Sequence, residues 1–313
     1  MTTTLPGRRE RIAALDYDYA AQPREAVAAC NLCGESRFVV LTHRDRYGYQ
    51  AQAHACSRCG LVFLNPRMTA GAYGRFYDGV YRPLVSAFHG RLIDAHTIQA
   101  EQRDYAADRA NLLRPFVSAG RASTLLDIGG STGVVAHHLA REFGLQATVI
   151  DPAPLEIEQA KRLGIETIVD LVEHHDFGDR TFDVVIICQT VDHLLDVAGT
   201  LRRVRQLLAA DGILFIDVVD FRAAYLRNWS VEDAVKIDHP YYLTEATMDA
   251  FLRQSGFAVA RVDYAADHLH VSYVCRPADP DPGACPPAAH VDALLREIRF
   301  VQNTTRPSPA AMG

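Results

Sequence analysis

From residue 124 onward the chain alternates short apolar runs with longer stretches whose apolar residues recur three and four positions apart. Thr124–Ile128, Ala147–Ile150, Ile165–Val169, Phe182–Cys188 and Gly212–Val219 read as strands. Val134–Phe143, Leu155–Leu163 and Val197–Leu208 read as the helices between them. Phe182–Cys188 is almost wholly apolar, as a strand covered on both faces must be. This alternation predicts an open, doubly wound α/β sheet. A helix over Glu245–Ser255, closed by Gly256, leads to two last strands, Phe257–Tyr264 and Leu269–Arg276. Their connection is too short for a crossover, so they form an antiparallel hairpin. The expected sheet is Rossmann-like and seven-stranded, with five parallel strands and the C-terminal antiparallel hairpin.

The first third of the chain has a different rhythm. Phe38–Leu41, Tyr47–Ala51 and Leu61–Leu64 read as short strands, ended by Asn65-Pro66. From Thr69 to about Val117 the period turns helical. Tyr73, Phe76, Tyr77 and Val80 share one face, and Pro115 stops a later helical stretch carrying Ile98, Tyr105 and Leu113. Residues 1–28 read as a lightly packed leader. Beyond Pro277 a Pro- and Asp-rich linker precedes an amphipathic helix over His290–Val301, and the last ten residues read as disordered. The expected divisions are 1–68 (leader and a cysteine-bearing unit), 69–118 (helical arm), 119–277 (α/β domain) and 278–313 (linker, helix and tail).

Composition narrows the classes. Of 313 residues, 49% are apolar and 22% charged, which is ordinary for a globular chain. No apolar run approaches the roughly 20 residues of a membrane helix, and the N-terminus lacks an apolar segment behind its arginines. A cytoplasmic protein without membrane contact is expected. A net charge of −6 argues against a nucleic-acid partner. Four of the seven cysteines form two C-x-x-C-G turns, Cys30/Cys33 before Gly34 and Cys56/Cys59 before Gly60. In a cytoplasmic chain this spacing points to tetrahedral zinc in a small ribbon. Four protein ligands leave no open position, so the metal is expected to be structural.

The chemistry centres on Leu125-Leu-Asp127-Ile-Gly129-Gly130-Ser131-Thr-Gly133, a strand feeding a helix through a glycine turn. Such a turn aims backbone N–H groups at a ligand above the sheet edge. The glycines miss the 0, 2, 5 spacing of a nicotinamide fingerprint. The acid followed by Gly129, Ser131 and Gly133 resembles motif I of class I S-adenosylmethionine methyltransferases. Asp151 at the end of the second strand, Phe182-Asp-Val-Val and Leu207-Leu-x-x-Asp211-Gly212 resemble further parts of that superfamily, over about residues 110–276. The resemblance implies S-adenosylmethionine as cofactor. It also implies a cofactor set of Asp127, Gly129, Gly130, Ser131, Gly133, Asp151, Pro152, Asp170 and Gln189. Asp127 would face the ammonium group and Asp151 the ribose. The ribbon, Asn65-Pro66-Arg67 and Phe76-Tyr77-x-x-x-Tyr81 narrow the likeness to methyltransferases of polysaccharide, deoxysugar and natural-product clusters. The long C-terminal domain of the deoxysugar C-methyltransferases is missing here.

Methyl transfer to a hydroxyl or an acidic carbon needs a base. In Gln189-Thr-Val-Asp192-His193, after the fourth strand, His193 is the preferred base, with packing at a helix start as the alternative. His239, in Asp238-His-Pro-Tyr241-Tyr242, is a second candidate. Tyr77, Tyr81 and Tyr241 are candidate substrate contacts, although tyrosines at helical spacing also suit a core. The leading expectation is a methyltransferase acting on a small molecule, a nucleotide sugar or natural-product intermediate, as a monomer or homodimer. The alternatives are an RNA methyltransferase gripping nucleic acid with its ribbon, and a non-catalytic S-adenosylmethionine-binding protein.

Overall fold

The computed structural model describes residues 6–117, 120 and 122–304, so the expected tail and the first five residues of the leader lie outside the described residues. Helix α1 (Arg8–Ala13) buries Ile12, and Tyr19 is only 2% exposed, its ring 5.9 Å from that of Tyr49. Strand β1 (Arg24–Glu25) follows. The expected loose leader is therefore packed from residue 8 on. Its apolar residues are too scattered to leave a period in the sequence.

The ribbon comprises β2 (Phe38–Thr42), β3 (Ala53–Cys56) and β4 (Val62–Leu64). The strand expected over Tyr47–Ala51 is absent. The Asp45 carboxylate accepts the N–H groups of Tyr47 at 3.1 Å and Tyr49 at 2.9 Å, and Gly48 turns the chain at φ +94°. A carboxylate taking local amides displaces the ladder bonds that a strand would need. β5 (Arg67–Met68) pairs with β1. The arm is then three helices: α2 (Ala70–Gly79), capped by Thr69; α3 (Tyr81–His89), closed by left-handed Gly90; and α4 (Ala95–Leu113).

The α/β domain runs β6 (Thr124–Ile128), α5 (Val134–Phe143), β7 (Gln146–Ile150), α6 (Pro154–Arg162), β8 (Glu166–Ile168), β9 (Phe182–Cys188), α7 (Val197–Leu207) and β10 (Leu208–Val219). It continues with α8 (Phe221–Asn228), β11 (Tyr241–Tyr242), α9 (Glu245–Gln254), β12 (Phe257–Tyr264), β13 (His270–Pro277) and α10 (Ala288–Thr304). Among the described residues, seven strands form one sheet in the order β12-β13-β10-β9-β6-β7-β8. The five from β10 to β8 are parallel, and β13 and β12 are antiparallel, as expected. Asp183, the one acid in β9, accepts the N–H groups of Ser123 and Thr124 at 2.7 and 3.0 Å, which fixes the β6–β9 register. The strand order reverses at β6, so a crevice opens above the ends of β6 and β9.

β11 was not foreseen. It adds a fourth strand to the ribbon sheet, Tyr241 opposite Phe63 and Tyr242 opposite Val62. α10 extends the expected helix by a few residues and lays Val291 and Leu294 against Gly60 of the second knuckle. Ribbon, arm, α8 and α10 thereby share one apolar core. No described helix is long and apolar enough to cross a membrane.

Candidate active site

Asp127, next to last in β6, is 1% exposed, and both of its carboxylate oxygens lack a hydrogen-bond partner among the described residues. Burial and the charge of Asp151 push its pKa up to about 8, against a weak opposing pull from the Ala136 N–H. The glycines leave room that no side chain can take. A Cβ on Gly129 would meet Thr190 at 2.3 Å, one on Gly130 would meet Asp127 Oδ2 at 2.5 Å, and one on Gly133 would meet Ala160 at 2.8 Å. Ser131, at φ +50°, gives its N–H to Asp151 Oδ2 at 2.9 Å and its hydroxyl to Glu156 at 3.0 Å. Asp151 also accepts from Ala153 N, and burial raises its pKa. A bare, buried carboxyl beside a glycine cradle fits a ligand that brings its own donors, such as the ammonium end of S-adenosylmethionine.

A cavity of about 180 Å³ lies over this turn, with Asp127, Gly129 and Gln189 below and Ile98, Gln102 and Tyr105 of α4 above. Thr132 donates to Gln102 at 2.9 Å, which ties α4 to the turn. Gln189, at φ +52°, donates to Asp217, a fully buried acid of β10 that also takes the Arg109 guanidinium and the Ser272 hydroxyl. Neither Asp217 nor Arg109 was foreseen, although Asp217 interrupts an otherwise apolar strand. Pro152 is exposed and does not line this cavity. Asp170, beyond β8, faces His175 at 3.4 Å and does not line this cavity.

Thr190 links the turn to the base candidates. Its hydroxyl lies 3.3 Å from Gly129 O, and its carbonyl accepts the His193 N–H at 2.9 Å. Tyr77 of α2 donates to Asp238 O at 2.6 Å, so its oxygen accepts from His193 Nδ1 at 2.5 Å and Nε2 keeps the lone pair. Tyr81 packs edge-on against Tyr77. His239 lies behind His193, with ring centroids 4.3 Å apart. Its Nδ1 is 2.7 Å from Asp192 and its Nε2 is 3.2 Å from Asp238 and 3.0 Å from Lys236 Nζ. Burial opposes charge on His239, yet Asp192 and Asp238 raise its pKa. Burial and the His239 charge lower His193 to about 4. Both ring nitrogens of His239 are thus engaged inside this buried cluster. Tyr241 is misplaced as a substrate contact. It is 1% exposed and bonded to Arg67 and Leu195 O. The ligand atoms of Asp192, His193 and His239 lie within 4.8 Å of one another, with Lys236 Nζ 3.0 Å from His239 Nε2.

In the ribbon, Cys30, Cys33, Cys56 and Cys59 bring four sulfurs within 4.8 Å. Cys30–Cys59 and Cys33–Cys56 each stand at 3.5 Å, far beyond the ~2.05 Å of a disulfide and close to the ~3.8 Å edge of a tetrahedral zinc–thiolate site. Gly34 and Gly60 adopt the left-handed φ that each knuckle needs. The donor set fits a tetrahedral metal.

A family model described as a methyltransferase domain matches residues 98–262, from α4 into β12, leaving the ribbon outside. The ubiquinone biosynthesis O-methyltransferase of Methylocella silvestris is 37% identical over 97 residues, 29% of this chain and 38% of that protein. The enzyme of the same name from Azorhizobium caulinodans is 26% identical over 198 residues, 55% of this chain and 75% of that protein. The chain thus spans little more than a third of the first relative's length. Among solved structures, mitomycin 7-O-methyltransferase is similar in fold, with a TM-score of 0.51 at 20% identity over 66% of this chain and 60% of that one.

Proposed function

The chain belongs to the methyltransferase-domain family, and from that membership we propose that it methylates an acidic hydroxyl of a small organic acceptor, with S-adenosylmethionine as donor. The donor supplies an electrophilic sulfonium methyl. The observation that carries the reading is His193, lowered to about 4, its Nδ1 on Tyr77 and its backbone one turn after Thr190, whose hydroxyl lies 3.3 Å from Gly129 O. A base lowered to about 4 is a poor match for an alkyl alcohol and a better one for a phenol or enol, whose proton is held near pKa ~10. That so many relatives carry O-methyltransferase names supports oxygen as the acceptor atom.

Each neighbouring side chain then has a task. Asp127 receives the donor's ammonium group, the Gly129–Gly133 backbone lies against its amino-acid end, and Asp151 faces the ribose. Gln189 lines the methyl side, held by Asp217. Asp170 and Pro152 flank the adenine side. Tyr77 orients His193 by accepting the hydrogen bond of its Nδ1–H, and Tyr81 borders the acceptor. The four ribbon cysteines hold structural zinc.

Turnover by the wild-type protein and His193→Ala against a panel of catechols, enols and alkyl alcohols tests the reading. The variant should lose 10²- to 10⁴-fold in turnover, with S-adenosylhomocysteine affinity by calorimetry within twofold. Undiminished turnover would remove His193 as base. Alkyl alcohols methylated as fast as phenols would remove the acidic acceptor.

A further inference from the structure

The segment carrying Lys236, Asp238 and His239 is gripped by the ribbon at both ends. At its start, Arg46 N donates to Val235 O at 2.9 Å and Ile237 N donates to Asp45 Oδ2 at 3.0 Å. At its end, Leu64 N donates to Pro240 O at 3.0 Å, and Tyr241 and Tyr242 pair with β4. Asp45 is 1% exposed, and its two oxygens divide their work. Oδ1 takes the Tyr47 and Tyr49 amides and shapes the ribbon turn, while Oδ2 reaches 192 residues along the chain to the Ile237 amide. A turn alone needs one acceptor, which Asn or Ser would supply. The second oxygen, aimed at the buried Ile237 N–H, is what calls for a carboxyl group.

We infer that Asp45 is a positioning residue for the histidine pair, holding Ile237 so that His239 stays against Asp192 and beside His193. The inference rests on the reading of His193 as proton acceptor. The groups facing His193 are Tyr77 from α2, Asp192 from its own turn, and Lys236, Asp238 and His239 from the gripped segment. Three of these five therefore sit on backbone that Asp45 helps to fix. Loosening it opens the burial around His193 and draws His239 and Lys236 away from it, so the proton affinity of His193 rises. The ribbon in this way acts on His193 through the segment it grips.

Asp45→Asn is the test, because it keeps the shape and one acceptor but turns an NH₂ toward one of the N–H groups. The full-length, zinc-loaded protein, labelled at histidine nitrogens, is titrated by NMR without any acceptor. In the wild type, His193 should titrate near 4. In Asp45→Asn its midpoint should rise by a unit or more toward the ordinary ~6.5, with faster amide exchange at Ile237 and S-adenosylhomocysteine affinity within twofold. An unchanged midpoint in a folded variant whose Ile237 amide exchanges faster overturns the inference. The wild type gives an independent check should the variant not fold: its Ile237 amide should exchange as slowly as those of β3 and β4, and loop-like exchange there overturns the inference. If His193→Ala still turns over while the midpoint shift occurs, the base assignment has failed and the positioning contact stands.

Discussion

A side chain on Gly130 would stand 2.5 Å from Asp127 Oδ2 and 3.0 Å from Val149 Cγ1. The two residues occupy one small space between them, and Asp127 keeps its oxygens bare only because Gly130 has nothing to put there. The turn is defined as much by what is missing at 130 as by the acid at 127.

Gly130→Ala should therefore act on both stability and ligand binding. The added methyl must push Asp127 or the β7 side chain aside, an overpacking cost of about 1–3 kcal/mol. Calorimetric unfolding should show that loss, and S-adenosylhomocysteine should bind at least tenfold more weakly. A variant with wild-type affinity would mean that the cofactor lies elsewhere.

Asp127 makes a pH prediction with a definite sign. Its pKa is raised to about 8 in the folded chain, against ~3.9 unfolded, so between those values the native state holds the extra proton. Its contribution is fully present below pH ~4 and is lost as pH rises toward 8, at up to about 1.4 kcal/mol per pH unit. Ligand-free wild type should lose stability over this window relative to Asp127→Asn, which has no proton to give up. Parallel melting curves for the two proteins from pH 5 to 8 would refute the raised value. Saturating S-adenosylhomocysteine, whose ammonium favours the carboxylate, should flatten the wild-type slope.

Metal removal should reach beyond the ribbon. One zinc per chain is expected by atomic absorption, and a thiol-competing chelator should lower the melting temperature. Because β11 belongs to the ribbon sheet, amide protection should fall at Tyr241 and Tyr242 as well as in β2–β4, while β6 and β9 stay protected. Loss confined to residues before 69 would show that the two sheets are uncoupled.

The α/β domain was legible because each strand is a self-contained apolar run and each helix carries its own period. The glycine turn was legible because its spacing excluded one nucleotide class and matched another. The ribbon metal set could be read from two C-x-x-C-G turns. What escaped depends on contacts far apart in the sequence. Tyr47–Ala51 has the composition of a strand, and only the reach of Asp45 over Tyr47 and Tyr49 bends it. Tyr241–Tyr242 is too short to show a period, and its strand character comes from Val62 and Phe63. Asp217 stood out as an acid in an apolar run, but its partner Arg109 lies in α4, 108 residues away. His239 was found as a candidate, but its partners could not be read, because Asp192 and Asp238 close on it only in the folded chain.

The strand that completes the ribbon sheet also constrains the order in which the molecule is made. Arg67, at the ribbon's end, bonds to Tyr241 across 174 residues of chain. A ribosome delivering N-terminal residues first, at ~5–20 residues per second, exposes the cysteine knuckles many seconds before their last strand emerges. Metal can gather the knuckles early, but the edge of β4 has to wait unpaired, an open edge prone to wrong partners. The ribbon is finished only when most of the α/β domain has been synthesised, so a module made ahead of that domain closes only after it.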